Sequence, residues 1–243
     1  KKIKKKTKAI MLVNMYGGIK SSKIFKKIAK KKKLYLIEDC AESLGAKDEN
    51  NVMAGTIGHV ACWSFQGAKH ITCGDGGMIS TNNKKLADKI RKFSNLGFKF
   101  LTGDADKTIA SKQSLQNPKT ERFELIGYNY RMSEFSAAVA LAQFERVGYF
   151  LNKRRKVSKK LIKIINNSKI LKVQKIDNKA YSTFYTLSAK LVDKKIKWEF
   201  FRKKFIEFGG DPIYAASKIL QDEPSIKYSN KGKLLKTLAN SKI

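Results

Sequence analysis

Acidic residues, proline, histidine and cysteine are all scarce in this 243-residue sequence. Its three cysteines, Cys40, Cys62 and Cys73, are odd in number and lack CxxC spacing, which excludes a disulfide framework and a zinc site. Two histidines, His59 and His70, are too few to complete a metal site, so no metal is expected. No uninterrupted apolar run approaches the roughly 20 residues that span a bilayer, and no basic-then-apolar leader opens the sequence. Neither a membrane partner nor secretion is expected, and unpaired cysteines suit a reducing cytoplasm.

The scarcity of Asp and Glu, 20 against 52 Lys and Arg, leaves a formal charge of +32. A basic field of that size raises a nucleic-acid-binding protein as one functional class. The lysines, however, recur along the whole chain, from KKIKKKTK through KKIAKKKK and NKRRKVSKK to KGKLLK, and do not form one aromatic-interleaved stripe. They read as solvated faces whose long stems cover apolar surface. No specific nucleic-acid partner is expected. At 42% hydrophobic and 10% aromatic, the chain has enough apolar material for a core.

Ala9 to Val13 (AIMLV) and Leu34 to Ile37 (LYLI) are short, continuous apolar runs, the pattern of strands buried on both faces of a parallel sheet. Between them Ser21 to Lys31 reads as a helix with Ile24, Phe25, Ile28 and Ala29 on one side, completing a β-α-β unit. His59 to Phe65 and Gly77 to Thr81 supply two further strands. Asn83 to Phe93 follows as a helix with Leu86, Ile90 and Phe93 at i, i+4, i+7. The fold class is therefore α/β. Residues 99–125 are polar and turn-rich and read as a long excursion. A helix starts near Ser133; its early part, FSAAVALA, is apolar nearly all round, which implies burial between elements or at a subunit interface. The domain boundary is expected along this helix, dividing the chain into 1–148 and a smaller α+β part, 149–243. In the latter, Ser182 to Leu191 reads as a strand. Trp198, Phe201, Phe205 and Phe208 read as the core face of a helix ending at Gly209-Gly210.

Two places carry chemistry. LYLI runs directly into Glu38-Asp39, and ligands of open α/β sheets collect at the carboxyl ends of strands. The next strand ends in Ser64 and leads through Phe65-Gln66-Gly67-Ala68 to Lys69, with Gly74, Gly76 and Gly77 close behind. A lysine among uncharged, partly apolar neighbours is partly desolvated, which favours the neutral amine able to attack a carbonyl. Ser64 is placed to donate its hydroxyl to a phosphate, and glycines let backbone approach a cofactor. The order GxxxxGK[ST] of a nucleotide P-loop is absent.

The segments IEDCAESLGA, GTIGHVACWSFQGAKHITCGDGGMISTNN and IGYNYRMSEFSAAVALAQFE, in that order and at those separations, resemble the DegT-type sugar aminotransferases, fold-type-I pyridoxal phosphate enzymes. The resemblance runs from about Thr7 to Glu145 and continues weakly beyond. It implies pyridoxal 5'-phosphate as cofactor, Lys69 as the Schiff-base lysine, Asp39 as partner of the pyridine nitrogen and Ser64 as a phosphate ligand. It also implies that Glu42 lies near the ring hydroxyl, where relatives commonly carry Gln or His. Asn129 is implied to reach the phosphate of a neighbouring subunit, so the active sites of a homodimer are shared. The implied reaction moves an amino group, from an amino-acid donor such as glutamate, to a keto group of a nucleotide-linked deoxysugar. Polysaccharide synthesis is the usual setting. Tyr214, in FGGDPIYAASKILQDEP, is a candidate substrate contact.

This sequence departs from the family pattern in two ways. Asn14 stands where many relatives carry His. The chain also begins in what resembles the middle of the cofactor domain, without the Ser-Gly-Thr phosphate turn or the ring-stacking aromatic; the 243 residues taken alone are expected to bind cofactor weakly or not at all. An inactive fragment is thus one alternative. A sugar 3-dehydratase of the same family is another, but those enzymes carry histidine in place of the lysine.

Overall fold

The computed structural model describes residues 2–19, 22–101, 110–211, 213 and 223–224. Strand β1 (Ala9–Val13) pairs in parallel with β2 (Tyr35–Asp39), and β2 in parallel with β3 (Val60–Ser64). Strand β4 (Gly77–Ser80) closes the four-stranded sheet antiparallel to β3. Helix α1 (Ser22–Lys32) makes the crossover between β1 and β2 and packs on both strands. Only Ser22 and Ala29 of α1 are buried; Ile24 and Ile28, expected on its inner face, remain exposed.

No helix links β2 to β3. The connection is a series of turns held by Glu38, whose fully buried carboxylate accepts hydrogen bonds from the backbone N–H groups of Gly55, Ile57 and Gly58 at 2.7–2.9 Å. Three donors compensate the cost of burying this carboxylate. Because side chains alternate along a strand, Leu36 and Glu38 lie buried on one face of β2, and Asp39 projects to the other. Core residues Ile19, Cys40, Ala46, Ala54, Ile57 and Ala61 pack around this connection, and Phe65, Ile71 and Ala140 form a second cluster.

Helix α2 (Lys84–Ser94) is capped by Asn83, whose side chain accepts from Leu86 N–H at 3.1 Å. The polar excursion contains a short helix, α3 (Lys112–Gln116), that its composition does not announce. Ser133 caps α4 (Glu134–Glu145), and α5 (Val147–Asn166) begins one residue later. The single helix expected from Ser133 onward is thus two, broken at Arg146. Of α4 only Ala140 is buried, and Phe135 is 88% exposed, so the burial expected for this apolar helix is not found within the chain.

Strand β5 (Leu171–Val173) forms a two-stranded sheet with β6 (Ala189–Leu191). The strand expected over Ser182 to Leu191 is therefore shortened to its last three residues. The upstream part is drawn away by other partners: Lys47 and Tyr181 exchange two backbone hydrogen bonds, and Thr183 N–H donates to Gly17 O at 2.7 Å. By its internal contacts the chain separates into compact units 1–190 and 191–243. The second unit contains α6 (Trp198–Glu207), which buries none of its residues. Its aromatics pack on one another instead, with the rings of Phe201 and Phe205 stacked at 6.3 Å, while Phe208 is 89% exposed.

Candidate active site

Asp39 is the last residue of β2 and pairs in register with Val13 and Cys62. Its Oδ1 accepts a hydrogen bond from Ala41 N–H at 3.1 Å, making a turn at the strand's carboxyl end. Its negative charge helps hold the neighbouring Cys62 thiol above the ordinary range, after the larger effect of burial. Ser64 ends β3, and its Oγ accepts a 3.4 Å hydrogen bond from Gln66 N–H, which leaves the hydroxyl proton uncommitted among the described residues.

Five residues on, a tight turn, with Lys69 N–H donating to Gln66 O at 2.9 Å, carries Lys69. The Lys69 side chain is 17% exposed. Its Nζ lies 3.7 Å from Glu42 Oε1 and 4.6 Å from the ring centroid of Tyr185. Glu42 is itself fixed, because Oε2 accepts from Tyr16 N–H at 2.9 Å. Lys69, Glu42, Asp39 and Ser64 thus all stand on the carboxyl ends of β2 and β3 or the turns that leave them.

Asn129 is not drawn into this cluster. It is exposed, bridges Asn95 through the backbone and accepts from Arg131 N–H at 3.4 Å. Tyr214 lies outside the described residues. A hollow of about 1110 Å3 between β3, β4 and α2 does not include Lys69. It is open, and lined by Met78, Ile79, Ile90 and Phe93 together with Thr81, Lys89, Arg91 and Ser94.

Two residues of the site escaped sequence reasoning. Tyr185 comes from a distant segment with no motif of its own. His70, adjacent to Lys69 in sequence, packs against the same Tyr185 ring. It is buried, with Nε2 3.0 Å from Thr183 Oγ1, its ring edge-on to Tyr185 at 5.6 Å, and Nδ1 without a partner among the described residues. Burial, with the Arg154 and Lys69 charges adding to it, pushes its pKa down to about 4. Asn14, also buried, donates through Nδ2 to Cys40 Sγ at 3.6 Å, and burial lifts the Cys40 thiol to about 11. That cysteine is inert packing.

A lysine, two carboxylates and a serine at the carboxyl ends of parallel strands, or on the turns that leave them, place this chain among α/β folds that carry a site at their strand ends. The chain belongs to the DegT/DnrJ/EryC1/StrS aminotransferase family, whose model matches residues 1–219. It is similar to a GDP-perosamine synthase of Escherichia coli O157:H7, 35% identical over 187 residues, which are 77% of this chain and 46% of that protein. Among solved structures it resembles a DegT/DnrJ/EryC1/StrS aminotransferase from Brucella abortus, at TM-score 0.73 and 26% identity, over 91% of this chain and 53% of that one. It also resembles a GDP-4-keto-6-deoxymannose-3-dehydratase with a trapped PLP-glutamate geminal diamine, at TM-score 0.74 and 25% identity, over 86% and 53%. The family is pyridoxal-phosphate-dependent, and the fold is its α/β fold in part. The chain spans about half the length of the relatives it matches.

Proposed function

We propose that the protein to which this chain belongs is a pyridoxal-phosphate-dependent sugar aminotransferase, that Lys69 holds the cofactor, and that the amino group passes from an amino acid to a keto group of a nucleotide-linked deoxysugar. The observation that carries this reading is the placement of the Lys69 amine between Tyr185 and Glu42, which lies in the turn leaving the strand that ends in Asp39. These residues fit the group: Ser64 keeps a hydroxyl proton free for a phosphate, and Asp39 keeps Oδ2 free, among the described residues, for a cationic ring nitrogen. When bound, pyridoxal phosphate supplies a protonated ring that takes up the electron pair left at the substrate α-carbon. With the group bound, Asp39 would hold a proton on its ring nitrogen, Ser64 would donate to its phosphate, Glu42 would serve its ring hydroxyl, and the Lys69 amine, once released, would carry the proton to and from the substrate α-carbon.

Glutamate is the donor we favour, on the strength of the glutamate adduct named for the dehydratase relative. Perosamine synthesis in relatives supports a nucleotide-linked sugar as acceptor. We further infer a homodimer in which Asn129 serves the neighbouring subunit; its exposure supports this. We keep residues 1–148 as the large-domain part and 149–243 as the small-domain part of the whole enzyme. The helix break at Arg146 supports that boundary, although α5 and the segment to Lys190 pack with the first part as one unit. Unpaired Cys40, Cys62 and Cys73 support a cytoplasmic setting. No helix among the described residues is long and apolar enough to cross a membrane. The dehydratase alternative needs histidine at the lysine's place, where this chain carries Lys69; His70 is buried with Nε2 on Thr183 Oγ1.

The test is borohydride reduction of the full-length enzyme with pyridoxal phosphate, followed by peptide mapping. The label is expected on Lys69, and Lys69→Ala is expected to lower transamination by three orders of magnitude or more. Retained activity in Lys69→Ala, or label on another lysine, sinks the assignment.

A further inference from the structure

We propose that Tyr185 is a positioning residue for Lys69: its ring face, together with the Glu42 carboxylate, holds the Lys69 amine over the carboxyl ends of β2 and β3. The inference takes its catalytic meaning from the proposed role of Lys69, but its geometry stands apart from that role.

The Lys69–Glu42 contact is long, at 3.7 Å, and by itself leaves a four-carbon side chain free to swing. The second restraint is the aromatic face at 4.6 Å from Nζ, within the range of a cation–π contact. The same ring packs in a T-shaped contact with His70, at 5.6 Å and 89°.

The backbone that delivers Tyr185 is held at each step. Tyr181 exchanges both backbone hydrogen bonds with Lys47, and its ring carries the Arg155 guanidinium at 3.7 Å. Arg155 also donates to Ser182 O, and Arg154 donates to Tyr185 O at 3.2 Å. Gly17 O accepts from Thr183 N–H, Thr183 Oγ1 and Ser182 Oγ at 2.7–3.2 Å. Gly17 itself has φ +79°, and a Cβ there would collide with the backbone nitrogens of Phe184 and Tyr185. A bystander ring in a loop has no need of four separate anchors; a ring whose position matters to the amine beneath it does. Arg154 and Arg155, which the sequence presents as part of a solvated basic run, are the clamps of this segment.

The experiment follows the Lys69 amine directly and needs no cofactor. In the full chain, the acetylation rate of Lys69 by acetic anhydride is measured by peptide mapping against the exposed Lys159. Tyr185→Phe keeps the ring and is expected to stay within about twofold of the unsubstituted protein. Tyr185→Leu removes it and is expected to speed labelling roughly fivefold, the factor that corresponds to ~1 kcal/mol of cation–π attraction. Should the leucine variant fail to fold, phenylalanine bearing one, two or three ring fluorines at position 185 decides the matter, since fluorine weakens the ring's attraction for a cation without changing its shape. A graded rise in Lys69 labelling supports the proposal. Equal rates across the fluorinated series overturn it. Borohydride trapping on the same proteins separates the two claims: label away from Lys69 with a graded acetylation series removes the proposed function and leaves the Tyr185 contact standing, and the converse pattern does the opposite.

Discussion

His70 is the residue whose titration the fold perturbs most usefully. Its folded pKa of about 4 lies below the ordinary 6.5, so between those values the unfolded chain binds the proton that the native chain refuses. Stability therefore rises with pH through this window; it is fully present above about pH 6.5 and lost as pH falls toward 4. The expected loss between pH 7 and pH 5 is on the order of 2 kcal/mol, read from urea denaturation at the two pH values. His70→Gln, which keeps a donor for Thr183, is expected to flatten that dependence; an unchanged slope would mean that other groups carry it. Lys69 was legible in the sequence because its neighbours are uncharged and its motif is ordered. The orientation of His70 was not, since nothing local distinguishes a histidine turned into the core from one turned toward a ligand. Glu38 is similar: its neighbour Asp39 drew attention as the strand-end acid, yet Glu38 holds the turn that positions the next strand.

Among the elements, the four strands of the first sheet and helices α1, α2 and α4 follow from apolar runs, periodicity and caps at Asn83 and Ser133. The Tyr181–Tyr185 segment does not. Its alternating Tyr, Thr and aromatic residues favour a strand, and its actual course is set by arginines on α5 and by a glycine near the other end of the chain. Tertiary contact overrides β propensity there. Gly17→Ala should therefore act at a distance. Positive φ and the clash with the backbone of Phe184 and Tyr185 predict a loss of about 2 kcal/mol or more, with faster amide exchange at residues 181–185. An alanine variant with native exchange at these amides would show that the segment is held without Gly17. In α6 the i, i+3, i+4 pattern of aromatics gave the helix correctly and the burial wrongly, because periodicity reports a shared face and not what covers it.

At the scale of the whole molecule, charge and exposed apolar surface have different meanings. The lysines behind the +32 charge recur along the whole sequence, while Arg154 and Arg155 are half-buried against carbonyls and, for Arg155, the Tyr181 ring. Several apolar residues of α4 and the segment before it are open to solvent: Ile126 and Phe135 are 89% and 88% exposed, and Tyr130, Val139, Leu141 and Phe144 are exposed as well. Surfaces of this kind are usually covered by another part of the protein or a second copy. For the full-length enzyme, sedimentation equilibrium is expected to give a dimer, and Phe135→Asp is expected to weaken its association at least tenfold. A dimer unaffected by Phe135→Asp would put the interface elsewhere. The sequence announced α4 as a helix to be buried, but the surface that buries it is not within the described residues.

The contact between Ser182 and Gly17 joins residues 165 positions apart. Its consequence is one of timing. Loop closure over that distance is entropically costly and slow, and Lys69 leaves the ribosome long before the segment that walls it in. During synthesis the Lys69 amine is present while its cradle is still missing, so it takes up its contact with Tyr185 only after the chain has returned to its own beginning.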